Sequence, residues 1–238
     1  MMPPEPTAPA AALDGGPFVP APDGGPFVPA AIPGVRVCVE GNIGSGKSTA
    51  MRLAAEARPG LPAFPEPVAE WRELLRRFYA DPARWALALS ERVLLSFGPP
   101  GRHPGPCLVE RSPESCRHVF GRMHYKDGTL TSDEWDLFKD LADLLGWRPS
   151  AIVYVYTPAA ECLERTRLRG RPEEAAVDLE YLRRVEFQYE TLLKFVGVPV
   201  YRVDGTQPPE QVAREVLAAL DDFVSGSGPG SGPGSSSG

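Results

Sequence analysis

Four short apolar runs punctuate the chain, at residues 35–40, 107–110, 151–156 and 199–203. The first, Val35-Arg-Val-Cys-Val-Glu40, alternates at the period of a strand. The runs at 151 and 199 lie between stretches in which apolar positions recur every three to four residues, which is the pattern of a buried parallel sheet. A fifth, weaker strand is expected near Ala63. Helix starts are marked by an N-cap residue ahead of a proline at Asp81-Pro82, Ser112-Pro113 and Thr157-Pro158. Residues 49–57 are rich in helix formers, and 131–145, 177–195 and 208–223 have amphipathic helical periodicity. Strand and helix alternating through one domain predict a three-layer α/β fold around a parallel sheet.

Between the first strand and the first helix lie Gly41, Asn42, Ile43, Gly44, Ser45, Gly46, Lys47 and Ser48, followed by Thr49. GNIGSGKS satisfies G-x-x-x-x-G-K-[ST] in the strand-to-helix context that this motif requires. Such a turn points successive backbone N–H groups at one spot, where the helix N-terminus adds about half a positive charge. The motif implies a nucleoside triphosphate site, with Lys47 reaching the outer phosphates and Ser48 holding magnesium.

Composition sets both ends apart. Residues 1–34 carry ten of the 28 prolines, no Lys or Arg, and the direct repeat DGGPFVPAP/DGGPFVPAA beginning at Asp14 and Asp23. Residues 225–238 contain only Gly, Ser and Pro. Neither segment has the apolar content to offset its ordering entropy, so the folded domain is expected at 35–224, between a disordered N-terminal segment and a flexible tail. No run approaches the roughly 20 apolar residues of a membrane span, and no secretory or transit signal is seen. Cys38, Cys107, Cys116 and Cys162 lack metal-binding spacing, which points to reduced thiols and a cytoplasmic protein. His103, His118 and His124 read as surface or core residues. A net charge of −6 argues against a nucleic-acid partner.

Beyond the loop the chain carries EPVAEW at 66–71, Tyr79 followed by DPARW, ERS at 110–112, R-x-R-x-R-G-R from Arg165 to Arg171, and EYL at 180–182. In this order the set closely resembles the deoxynucleoside kinase family. The resemblance implies a P-loop kinase fold with an Arg-rich lid, ATP and Mg2+ as cofactors, a deoxynucleoside substrate and a homodimer. It places Glu66 as base at the 5′-hydroxyl, Arg111 at the 5′ oxygen and transferring phosphate, and Glu110 with Ser48 on the metal. Arg165, Arg169 and Arg171 become lid residues over the phosphates. Trp71 is implied as a pocket wall, Tyr79 for the 3′-hydroxyl, and Glu174 for the sugar hydroxyls. Arg167 reads as a surface-pairing residue, and Glu161 is the alternative partner of Arg165 at i,i+4.

The base pocket departs from the family pattern. The family's base-reading Gln falls here at Ser90, and no Gln occurs between Trp71 and Phe187. Ser90 with Phe97, two turns apart on one helix, and Cys116 with Phe120, at i and i+4, match the remaining pocket positions. Relaxed base selection is expected, with Glu91 or Arg92 as the other groups able to read a base edge. A nucleoside monophosphate kinase and a non-catalytic kinase-like subunit are the competing readings. A GTPase is disfavoured by the lack of D-x-x-G and N-K-x-D.

Overall fold

The computed structural model describes residues 34–226. The segment 1–34 and the tail 225–238 therefore lie outside the described residues, apart from Gly34, Ser225 and Gly226. Five strands, β1 (Arg36–Glu40), β2 (Ala63–Phe64), β3 (Cys107–Glu110), β4 (Ala151–Tyr156) and β5 (Val200–Asp204), form one all-parallel sheet in the order β2-β3-β1-β4-β5. The weak expectation at Ala63 is thus a real edge strand. Around the sheet lie α1 (Lys47–Ala57), α2 (Val68–Ala80), α3 (Pro82–Leu95), α4 (Gly98–Gly101), α5 (Pro113–Ser115), α6 (Arg122–Lys126), α7 (Ser132–Leu145), α8 (Ala159–Arg169), α9 (Leu179–Phe195) and α10 (Pro209–Val224).

Strand alternation divides the core into two layers. Val37, Val39, Val153 and Val155 pack with Ala50, Met51 and Ala54 of α1 and Val212, Val216 and Leu220 of α10. On the opposite face, Cys38 and Val109 meet Leu94, Cys116 and Phe138, while Ile152 and Tyr154 meet Val185, Tyr189 and Leu192 of α9. Because both of its faces are covered, β4 reads as a continuous apolar run, whereas β1 is apolar only at its centre, Val37 to Val39, between the buried charged residues Arg36 and Glu40.

The helix starts hold with one exception. Asp81 accepts a hydrogen bond from the Arg84 N–H, and Ser112 and Thr131 each close a capping box. Thr157 does not cap the next helix: α8 begins at Ala159, and the Thr157 hydroxyl instead donates to the Ser45 carbonyl at 3.1 Å, fastening the phosphate loop. Two pocket spacings also differ. α3 ends at Leu95, so Phe97 lies beyond it, although Ser96 and Phe97 keep right-handed helical torsions. Cys116 and Phe120 sit in a π-helical segment, Cys116–Gly121, between α5 and α6. Wider π turns of this kind recur at functional sites.

Candidate active site

The chain runs from β1 out to the edge strand β2, returns through β3, and then passes to the other side of β1 to form β4. Connections therefore diverge at the carboxyl end of β1, the place where a parallel α/β sheet opens a crevice. A cleft of about 770 Å³ lies there. Every residue assigned from the sequence lines it except Gly41 and Asn42, which sit just behind the loop. The Gly41 carbonyl faces Lys47 and Arg111, and the Asn42 amide donates to the Leu182 carbonyl of α9 at 2.8 Å.

At the phosphate end, the loop is held by close backbone approach. Gly44 has φ +81°, and a Cβ there would lie 2.4 Å from the Cys162 carbonyl oxygen, so the position admits only glycine. Lys47 Nζ donates to the carbonyls of Gly41 and Asn42 at 3.0 and 2.6 Å. Burial pushes its ammonium down to about 8, and Arg111 adds to that effect while Glu110, Glu66 and Glu40 oppose it. Ser48 Oγ donates to Glu110 Oε1 at 2.7 Å, and the other Glu110 oxygen accepts the Glu66 N–H at 3.2 Å. Glu110 thus ties the end of β3 to both the loop and the segment after β2.

Glu66 Oε2 accepts from Arg111 Nε at 3.1 Å, and both side chains are largely enclosed. Arg111 is the single non-glycine residue with positive φ among the described residues, at 66°. Its guanidinium lies 4.7 Å over the Phe120 ring.

The lid leaves α8 where expected, at Gly170, whose left-handed torsions end the helix. Glu174 accepts from Arg169 Nη2 at 2.7 Å and from Arg171 Nη1 at 3.4 Å, so the implied sugar-binding carboxylate gathers the two lid arginines. Arg165 makes the pair weighed from its spacing, 2.5 Å to Glu161 Oε1, and also reaches the Ser45 carbonyl at 3.4 Å. Arg167 is exposed and away from the cleft, and it forms no ion pair among the described residues, contrary to the expected surface pairing.

At the other end, Trp71, Leu75, Phe78 and Tyr79 of α2 face Leu89, Ser90 and Val93 of α3, with Phe97, Cys116, Phe120, His124 and Tyr181 completing the wall. Ser90 is buried, and its hydroxyl makes no hydrogen bond among the described residues. Burial raises the Tyr79 phenol and the Cys116 thiol well above their usual ranges, so both stay neutral. Arg92 and Glu91 take no part: neither lines the cleft, and Arg92 pairs with Glu70 of α2 at 2.6 Å. His124 reads as more than a core residue, since it lines the cleft edge-on to Phe78 at 4.9 Å. Burial holds its imidazole down to about 4.

A phosphate loop, a carboxylate–arginine pair and an apolar slot on one crevice match a nucleoside-phosphorylating site, and the comparisons decide the family. The deoxynucleoside kinase family model matches residues 37–225. The chain belongs to the deoxynucleoside kinase family. The kinase is 33% identical over 198 residues to a thymidine kinase of Ictalurid herpesvirus 1 (strain Auburn), an alignment covering 79% of this chain and 86% of that one. It is 31% identical over 195 residues to deoxycytidine kinase 2 of Gallus gallus, covering 66% and 73%. It is 32% identical over 171 residues to mitochondrial thymidine kinase 2 of Homo sapiens, covering 66% and 63%. It is a deoxynucleoside kinase with ATP as phosphate donor.

Sequence reasoning missed Glu40, Tyr189, Phe78 and Leu75 as parts of the cleft and its support. Glu40 carried one usable signal, a carboxylate closing an apolar strand directly before the loop. The others sit at ordinary apolar positions of helices.

Proposed function

We propose that the kinase transfers the ATP γ-phosphoryl group to the 5′-hydroxyl of thymidine and deoxycytidine, with Glu66 as general base. Glu66 takes the hydroxyl proton as the 5′ oxygen forms its bond to the γ-phosphorus, and the bond from that phosphorus to the β–γ bridging oxygen breaks to release ADP. Lys47, Arg165, Arg169 and Arg171 supply cations around the charge that develops on the transferring group. Arg111 orients Glu66 through its Nε and offers its Nη2 N–H groups to the acceptor oxygen and phosphate.

The donor set suits magnesium. Ser48 and Glu110 place two hard oxygens 2.7 Å apart beside the loop, and among the described residues no group of three or more His, Cys, Asp or Glu could hold a metal by itself. An ion that keeps several waters and binds mainly to nucleotide phosphates fits such a sparse protein contribution. When bound, magnesium would neutralise phosphate charge, and Ser48 and Glu110 would hold it.

The observation that carries the reading is the Glu66–Arg111 pair, joined through Glu110 to Ser48 of the loop. Deoxynucleosides and their monophosphates, offered side by side with ATP and magnesium, test it. Phosphorylation of the nucleosides is expected, and turnover of the monophosphates alone would contradict it. The proposal includes a catalytic unit at 35–224, a homodimer, a cytoplasmic site of action, and no nucleic-acid or membrane partner. Among the described residues no helix is long and apolar enough to cross a membrane. Activity and molar mass of a 35–224 truncation check the first two points.

A further inference from the structure

Behind Arg111 runs a buried polar chain with no assigned part in the transfer. Arg111 Nη1 donates to the Tyr189 hydroxyl and, at 3.1 Å, to the Gly41 carbonyl. The Tyr189 hydroxyl donates to Glu40 Oε2 at 2.9 Å, and Ser112 Oγ donates to Glu40 Oε1 at 2.6 Å. Glu40 and Tyr189 are completely buried, one at the end of β1 and the other on α9. Burying a carboxylate is costly unless it is hydrogen-bonded and balanced by opposite charge. Both Glu40 oxygens are satisfied by hydroxyls, and the nearest balancing cation along the chain is Arg111.

Arg111 itself is strained. A left-handed backbone is disfavoured at a non-glycine residue and persists only where its surroundings over-determine it. Its N–H is fixed by the Val39 carbonyl at 3.0 Å, its Nε by Glu66, its Nη1 by Gly41 and Tyr189, and its face by Phe120. Nη2 alone makes no hydrogen bond among the described residues.

We propose that Tyr189 and Glu40 are positioning residues for phosphoryl transfer: their hydrogen-bonded chain locks Nη1, so the guanidinium presents Nη2 and Nε to the reacting groups in one fixed orientation. This rests on the assignment of Arg111 to the acceptor oxygen and phosphate. A guanidinium aligned in advance needs no reorganisation as charge develops, whereas one free to turn loses about a hundredfold for a misplacement on the order of 1 Å.

Tyr189→Phe removes the hydroxyl and keeps the ring packed against Tyr154 and Phe120, at 5.6 and 6.4 Å. With ATP, magnesium and whichever of thymidine and deoxycytidine turns over faster, kcat should fall about ten- to a hundredfold while the nucleoside KM moves by less than about threefold. In an Arg111→Ala background the same change should cost less than about twofold, because the hydroxyl acts through the guanidinium. Glu40→Gln preserves shape and removes the charge. It should lower kcat in the same way and show the same loss of effect without Arg111, so the test stands if the tyrosine variant does not fold. An equal fold-loss with and without Arg111 overturns the inference. So does a parent-like kcat for Tyr189→Phe alongside a slow Arg111→Ala, a result that leaves the assignment of Arg111 intact. A parent-like kcat for Arg111→Ala removes that assignment, and the inference falls with it.

Discussion

The two ends of the cleft are built on different principles. The phosphate end is made of backbone and charge: the loop after β1, Glu66 after β2, Glu110 and Arg111 at the end of β3, and the lid arginines of α8 and the turn after it. Its groups touch one another, with Glu110 bonded to both Ser48 and the Glu66 backbone and Arg111 bonded to Glu66 and Gly41. The base end is made of side chains from α2, α3, the π-helical segment, α6 and α9. There the polar groups are sparse and unconnected: the Ser90 hydroxyl and the His124 ring make no hydrogen bonds among the described residues. On the proposed function, one end carries the transfer and the other selects by shape.

The largest effect is expected at the loop. Lys47→Ala removes the cation proposed to meet the transferring group, and kcat should fall by about 10³-fold or more. Parent-like turnover would mean that the connected end is not where catalysis resides. Glu66→Gln keeps size and hydrogen bonding but removes the proposed base, so kcat should drop about 10²- to 10⁴-fold with a much smaller change in nucleoside affinity. Equal losses in both would make Glu66 a binding group. The Lys47 ammonium, pushed down to about 8 by burial, is charged below that pH and neutral above it. On the alkaline side, kcat/KM for ATP should therefore decline about tenfold per pH unit above about 8. A flat profile to pH 9.5 would show that Lys47 keeps its proton in the free enzyme.

Legibility followed the same divide. The loop was marked by its motif, and Glu66, Glu110 and Arg111 by the resemblance; the structure brings them together because each follows or closes a strand at the carboxyl end of the sheet. The four longer strands were visible because a covered parallel sheet favours short apolar runs, and the two-residue, half-buried edge strand β2 was only weakly marked. The failures lie where long-range contacts override local signals. Thr157 has the sequence of a helix cap, yet its hydroxyl is drawn to the Ser45 carbonyl, 112 residues away. Cys116 and Phe120 have α spacing, but the chain widens into a π turn between them. His124 and Phe78 read as plain core because periodicity cannot tell a helix face turned to a cleft from one turned to other side chains. Tyr189 joined Arg111 and Glu40 only through the placement of α9 over β1.

Smaller effects sharpen the base end. His124 ordinarily titrates near 6.5, and burial holds it down to about 4, so the unfolded chain takes up the proton first as the pH falls. Stability should accordingly drop by about 3 kcal/mol between pH 6.5 and 4, with His124→Leu flattening that limb in urea unfolding. An unchanged acid limb in the variant would place the loss elsewhere. Ser90→Gln adds an amide to the one polar position of the α3 wall. It should change the thymidine-to-deoxycytidine ratio of kcat/KM by about tenfold or more. No change would mean that Ser90 does not face the base.

The kcat/KM of the unmodified kinase for thymidine and deoxycytidine, with ATP and magnesium, tests whether a connected phosphate end is paired with a base slot that selects by shape. An apolar slot discriminates by about 10- to 200-fold, whereas a site that hydrogen-bonds a base edge rejects the wrong base by about 10⁴ or more. Both pyrimidine nucleosides should be phosphorylated with values inside the smaller range. A ratio above about 10⁴ would contradict the account and show that buried polar groups, not shape, read the base.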